Sequence, residues 1–245
     1  GKLQTAVDMA GDAKGHEIIV SVRSLKDGKT VYTSNGQTTI THPINNSDKE
    51  QMISGEWASI IPWSTENPNL YVAKLELKNP EGKIVQTRVT RIGFRTVEFF
   101  PQDGVYLNGT KLVVKGINRH SFSVDGGRTT SAALSRMDAL LIKEMNMNAV
   151  RSHYPPDEHF LDMCDSLGLV YMDELAGSRV GAKLVKEMIE RDVNHPCIIL
   201  WSNGNEGGWN TQTDPLFAQY DRLQKRHMVH PWADFNDLDT HHYPT

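Results

Sequence analysis

The sequence predicts a multidomain β plus α/β protein: an immunoglobulin-like β-sandwich followed by an α/β region of barrel type. Three observations carry this. Between Gly15 and about Glu98, apolar and polar residues alternate with a period near two, and turn residues separate the runs. After Arg95, short apolar runs alternate with helical patterns, which is the order of a parallel sheet. Each of those later runs ends in polar side chains, as strands do at a barrel mouth. No glycine-rich phosphate loop follows any of them, as an open doubly wound sheet that binds nucleotides would require. The 245 residues suit one large domain or two ordinary ones. The pattern divides them into a sandwich at 1–98 and the amino-terminal part of a barrel at 99–245.

Composition narrows the function classes. With 26 basic and 30 acidic side chains the formal charge is -4, and no basic stretch stands out, so nucleic acid is excluded as a partner. No apolar run approaches a membrane span. Cys164 and Cys197 fall in apolar segments and read as buried free thiols. The chain opens Gly-Lys-Leu-Gln without an apolar signal core.

In the first region His16–Val22 and Thr30–Thr33 flank Asp27-Gly28, a hairpin signal. Thr38–Thr41 and Ser59–Ile61 read as further strands. Leu70–Leu77 alternates clearly and turns at Asn79-Pro80-Glu81-Gly82 into Ile84–Val89. Several short strands with turns between them predict the sandwich, and the absence of a Cys-Trp-Cys spacing separates it from antibody domains. Nothing here carries chemistry, so a structural role is expected.

In the second region Val105–Leu112 is a small hairpin with Asn108-Gly109 at its turn. Val113–His120 is a strand with a polar end. Ser131–Met145 is a helix with Leu134, Met137, Leu141 and Met145 on one face. Asn148–His153 is a strand. Pro155-Pro156-Asp157-Glu158 opens a helix that turns Phe160, Cys164 and Leu167 inward and ends at Gly168. Leu169–Glu174 is a strand, and Ala182–Asp192 a helix with Leu184, Val185, Met188 and Ile189 inward. Cys197–Ser202 is a buried strand. Leu216, Tyr220 and Leu223 mark another helix. His227–Trp232 and Leu238–Tyr243 complete a count of six strands, against eight in a closed barrel. A six-stranded arc has two open edges, which favour pairing with another chain, including a homo-oligomer.

The strand ends supply His120, Arg151 with His153, Asp173 with Glu174, Asn205 with Glu206, His230 with Trp232, and His242 with Tyr243. If the strands surround one mouth, these groups converge. Trp201 and Trp209 flank Glu206 and offer flat faces of the kind a sugar ring stacks on. His120, His153, Glu174 and His242 include no short-range metal-ligand pair, and no Gly-x-Ser-x-Gly elbow accompanies them. The remaining chemistry is carboxylate acid/base work on a neutral polar substrate. In glycoside hydrolysis two carboxylates about 5 Å apart retain configuration, and a wider pair inverts it.

Several of these segments resemble glycoside hydrolase family 2, the family of β-galactosidases, β-glucuronidases and β-mannosidases. They are Gly116-Ile117-Asn118-Arg119-His120, Asn148–Pro155, Cys164–Leu169 with Met172-Asp173-Glu174, and Arg191-Asp192-Val193-Asn194-His195-Pro196 leading into Trp201 and Gly204-Asn205-Glu206. Trp63–Tyr71 is similar to that family's immunoglobulin-like domain. The resemblance implies a TIM (β/α)8 barrel, here truncated, and a retaining exo-β-glycosidase acting on a carbohydrate, foremost a β-galactoside.

The resemblance also implies roles. Glu206 is the general acid/base, and Tyr243 bonds the nucleophile. Asn205 binds the hydroxyl beside the anomeric carbon. His120 and His153 contact the sugar, and Arg151 supports the floor. Trp232 and His242 join the substrate-binding set. The family's nucleophile is a glutamate on a seventh strand that the chain lacks. The loop Ala176–Gly181 is short, and Arg151-Ser152-His153 lacks a residue that many relatives carry. No Glu-x-His magnesium motif follows Glu174, so neither metal nor cofactor is carried over. The motif spelling resembles exported bacterial relatives and implies a periplasmic or extracellular location. The absent nucleophile leaves a second reading, a non-catalytic sugar-binding fragment.

Overall fold

A computed structural model describes residues 1–175, 181–205 and 211–230, together with Leu238 and Thr240. The chain forms two compact units, one of Gly1–Trp63 with Asn69–Phe94, the other of Ser64–Pro68 with Arg95–Thr245.

The first unit contains β1 (Lys2–Asp8), β2 (Glu17–Ser24), β3 (Thr30–Val31), β4 (Ile40–Pro43), β5 (Glu50–Glu56), β6 (Tyr71–Lys78) and β7 (Ile84–Ile92). β1 and β5 pair antiparallel. β2 pairs with β6 along one edge and with β4 and then β3 along the other, and β7 lies beyond β6. Alternation turns Ile18, Val20 and Val22 inward, where they meet Ile44, Ile53, Trp57 and Tyr71. The turns form where expected: Gly28 and Gly82 have φ of 69° and 84°, and the Asn79 side chain accepts from the Lys83 N–H at 2.8 Å.

Three features differ from the sequence pattern, the first being β1, which precedes the predicted strands. β5 is too polar to be recognised as a strand, because its buried Gln51 stands where an apolar residue is expected. The Gln51 amide is satisfied by Asn46 Oδ1 and the Asp48 carbonyl, both at 3.0 Å, so burial costs little. Conversely, Ser59–Ile61 forms no strand. Ser59 has φ 54°, and the Ile61 N–H donates to the Tyr71 hydroxyl at 2.9 Å instead of to a ladder.

The second unit opens with an antiparallel meander of β8 (Val97–Phe100), β9 (Gly104–Leu107) and β10 (Thr110–Leu112). Asn108 and Gly109, at φ 53° and 76°, make the two-residue turn. There follow β11 (Gly116–Asn118), α1 (Ala132–Glu144), β12 (Ala149–Arg151), α2 (Glu158–Leu167), β13 (Val170–Glu174), α3 (Ala182–Asp192), β14 (Ile198–Ser202), α4 (Asp214–Tyr220) and β15 (Met228–Val229). These five strands pair in parallel and in chain order. A doubly wound sheet reverses its strand order, so the unbroken order identifies part of a barrel. The sixth predicted strand, apart from Leu238 and Thr240, lies outside the described residues. Among the described residues no helix is long and apolar enough to cross a membrane.

Local signals set the helix limits. The Ser131 hydroxyl caps α1 by accepting from the Leu134 N–H at 3.1 Å. Gly168, at φ 72°, ends α2. The buried faces depart from the apolar patterns, and on α1 the expected face is the largely exposed one. On α1 they are Ser135, Ala139 and Ile142, while Met137, Leu141 and Met145 are exposed. On α3 Val185, Met188 and Ile189 are buried and Leu184 is exposed. α4 stops at Tyr220 with Phe217 as its buried anchor, so Leu223 falls beyond it. Cys164 and Cys197 are buried free thiols, and burial pushes both well above the ordinary thiol range.

Gly168 yields a test. A Cβ there would lie 2.4 Å from the Thr65 carbonyl oxygen, at a φ that side chains rarely adopt. Gly168→Ala is expected to destabilise the second unit by at least about 1–3 kcal/mol. A urea-unfolding midpoint equal to wild type contradicts this.

Candidate active site

Successive residues of a strand point to opposite faces. At each strand's carboxyl end, therefore, one side chain turns to the inner face and its neighbour to the helices. The structure sorts the predicted residues by this rule.

Arg151, the last residue of β12, is the hub of the inner side. Its Nε and Nη2 donate to the two carboxylate oxygens of Glu174 on β13, each at 2.9 Å. The same Nη2 donates to Asn205 Oδ1 at 2.6 Å. Nη1 reaches His153 Nε2 at 3.2 Å and Asn118 Oδ1 at 3.3 Å. His120 stacks on His153, with centroids 4.5 Å apart and planes inclined by 18°. Its Nδ1 lies 3.3 Å from the Tyr154 hydroxyl, which accepts from the Ser121 N–H at 3.1 Å. Four predicted residues, His120, Arg151, His153 and Asn205, thus form one constellation. Glu206, Trp209, Trp232, His242 and Tyr243 lie outside the described residues.

Glu174, one of the expected strand-end groups but given no role in binding or catalysis, and Asn118, which was not expected, also belong to this constellation. Glu174 had a usable signal, a carboxylate at a strand end next to the strand that carries Arg151. It is fully buried. Burial raises its pKa to about 7, against the opposing pull of Arg151 and a Ser202 hydrogen bond.

The outward neighbours have other partners. Asp173 does not join Glu174 in the site. It is buried against Asp192 of α3, whose oxygens are held by Arg191 at 2.6 Å. Burial and the Asp192 charge push Asp173 well above the usual carboxylate range. Arg119 is likewise buried, bound to Asp138 at 2.7 Å and stacked over Phe160 at 3.9 Å. His230 meets Asp214 at the start of α4 at 3.0 Å.

Trp201 is also corrected. It is fully buried, its Nε1 donates to Asp221 at 2.8 Å, and Arg226 lies over its ring at 5.3 Å. It packs the helix side of β14 and offers no face to a sugar.

Two other features sit apart from the mouth. Asp165, His195 and Cys197 cluster closely enough to suggest metal ligands. Both Asp165 oxygens are already engaged, by the Cys197 N–H at 3.0 Å and His195 Nδ1 at 2.6 Å. Half-buried Arg95 donates alongside to the Pro196 and Ile198 carbonyls. The cluster therefore fastens the Asn194-His195-Pro196 segment. A cavity of about 230 Å³, lined by Arg95, Phe99, Ile199, Lys225, Arg226 and His227, opens near the amino ends of β14 and β15.

A sandwich with a barrel-type parallel sheet, carrying carboxylate, amide, guanidinium and imidazole groups at its strand ends, defines a barrel protein with a polar-ligand mouth. The chain belongs to glycosyl hydrolase family 2. Residues 1–95 match the model described as "Glycosyl hydrolases family 2". Residues 101–185 and 179–243 match "Glycosyl hydrolases family 2, TIM barrel domain".

Among curated relatives, a β-galactosidase of Pectobacterium atrosepticum is 35% identical over 69% of the chain and 18% of its own length. One of Priestia megaterium is 34% identical over 85% of the chain and 23% of its own length. A protein of Formosa agariphila named putative β-glucuronidase is 39% identical over 72% of the chain and 22% of its own length. The chain therefore spans about a quarter or less of these relatives. Of solved structures, a β-glycosidase from Bacteroides vulgatus aligns with TM-score 0.77 at 24% identity, over 95% of the chain and 32% of its own, which shows the fold. A Bifidobacterium dentium β-glucuronidase complexed with coumarin-3-O-glucuronide aligns with TM-score 0.73 at 26% identity, over 94% of the chain and 40% of its own.

Glu174 gives a pH prediction. Its folded pKa of about 7 lies above the ordinary 4.5. The folded state thus keeps a proton that the unfolded chain releases, and this contribution to stability is lost as pH rises through that interval. Glu174→Gln is expected to flatten the fall in stability there, a change on the order of a few kcal/mol. Chemical denaturation at stepped pH checks it, and parallel curves for the two proteins contradict it.

Proposed function

We propose that the chain carries the acid/base half of a retaining exo-β-glycosidase that removes terminal β-galactosyl groups. The observation that carries this is the Arg151 constellation, which ties Asn205, the residue before Glu206, to His153 and Glu174 at one end of the parallel sheet. Family membership and relatives named β-galactosidase support the substrate class.

In this reading Glu206 protonates the leaving oxygen and later activates water. Asn205 holds the hydroxyl beside the anomeric carbon, and His120 and His153 contact the sugar, with Trp232 and His242. Tyr243 hydrogen-bonds the nucleophile, a second carboxylate expected on a seventh strand. The first carboxyl must be protonated when the second attacks, which requires a raised pKa at Glu206.

A second reading is favoured by the 39% identical relative named putative β-glucuronidase. A glucuronide adds a carboxylate, which needs a cation in the mouth. The ratio of galactoside to glucuronide hydrolysis separates the two readings.

Glu206→Gln tests the role directly. Loss of a general acid costs about 10²–10⁴-fold in rate. The full loss is expected on alkyl galactosides, whose leaving groups need a proton, and a smaller one on activated aryl galactosides. Equal losses on both contradict Glu206 as the acid. Measurable hydrolysis by the 245-residue chain contradicts the alternative of a non-catalytic sugar-binding fragment.

A further inference from the structure

We propose that Arg151 is a positioning residue that sets the hydrogen-bond polarity of the strand-end site, with Glu174 as the group that orients it. The inference rests on the reading above only in taking the ligand to be a sugar.

A guanidinium carries five N–H donors and no acceptor. Any atom within hydrogen-bond distance of it must therefore present a lone pair. Arg151 is held two-pronged by a fully buried carboxylate, with both bonds at 2.9 Å, so its plane is fixed. Its remaining donor capacity falls on three residues that carry either polarity, Asn118, Asn205 and His153, of which the last two are expected to meet a ligand.

For Asn205 the contact at 2.6 Å decides between two amide orientations. Only Oδ1 can face Nη2. The group left for a ligand is then Nδ2, a donor. The sugar atom met by Asn205 must accept a hydrogen bond, so a hydroxyl there is engaged through its oxygen lone pair. Its own proton is left for another acceptor.

For His153 the contact at 3.2 Å decides between tautomers. Nε2 must hold the lone pair, so the proton sits on Nδ1. A charged imidazolium would place an N–H against an N–H and is disfavoured. Arg151 thus excludes one of the two states open to each neighbour. Lysine cannot substitute, since a single ammonium cannot hold a planar, two-pronged contact and reach both neighbours.

Long-range ¹H–¹⁵N spectra of the histidine rings in the 245-residue chain test this. At about pH 8, where Glu174 is ionised, His153 is expected as a neutral ring with its proton on Nδ1. In Arg151→Met, whose side chain is similar in length and has no donors, a large part of the population is expected to move the proton to Nε2. His195, held by Asp165 through Nδ1, should stay unchanged and so reports an intact fold. Glu174→Gln, which opposes an N–H to the guanidinium, is expected to give the same change in part, and serves if Arg151→Met does not fold.

A wild-type His153 that is charged, or protonated on Nε2, overturns the proposal. So does a folded Arg151→Met with an unchanged tautomer. Neither sugar nor turnover enters the measurement. In a protein that extends through the seventh strand, the expected tautomer without any hydrolysis therefore sinks the glycosidase reading and leaves this one standing.

Discussion

The ion pair between Arg151 and Glu174 is the contact on which the strand-end site depends. A carboxylate with no exposure to water is costly unless paired and hydrogen-bonded, and a two-pronged guanidinium supplies both. Removing either partner strands the other. The pair also bridges β12 and β13, so it is formed only when the parallel register between them is correct. Its free donors then reach Asn205 beyond β14 and His153 beyond β12. One interaction thereby links the register of the sheet to the orientation of the groups at its mouth.

The helix side of the same sheet is equally polar, and this explains how the site is kept in place. Asp173, Arg119 and Trp201 each sit one position away from a residue of, or facing, the mouth and point the other way. Asp173 is buried beside Asp192, while Arg119 is bound to Asp138 and Trp201 to Asp221, on the helices or just beyond them. Each strand is therefore anchored outward by a buried polar contact next to the place where it presents a residue inward. Such paired arrangements leave little freedom for a strand to twist or slip.

Much of this was legible in the sequence, and the misses have physical causes. Gly28, Gly82, Gly109 and Gly168 mark turns and a helix end because their backbone φ is positive, and Ser131 marks a helix start because its hydroxyl caps it. Chain-order alternation of strand and helix sufficed for a barrel. β5 escaped because a satisfied glutamine, Gln51, does the work of an apolar residue. Trp201 was misread because ring chemistry says nothing about which face of a strand a residue occupies. Asp173 and Glu174 are chemically alike and adjacent, and only the pleat separates a site residue from a helix anchor. Glu174's part in the site depended on a contact 23 residues away in the chain, with Arg151, which no local pattern contains.

The claim that these strand ends form a sugar site is tested most directly by titrating the chain with methyl β-galactoside at millimolar concentrations while following side-chain NMR signals. The account predicts that the signals of His120, His153 and Asn205 shift together and saturate at one common concentration, while those of Trp201 and His195 stay still. Shifts confined to other residues, or none at all, would contradict it.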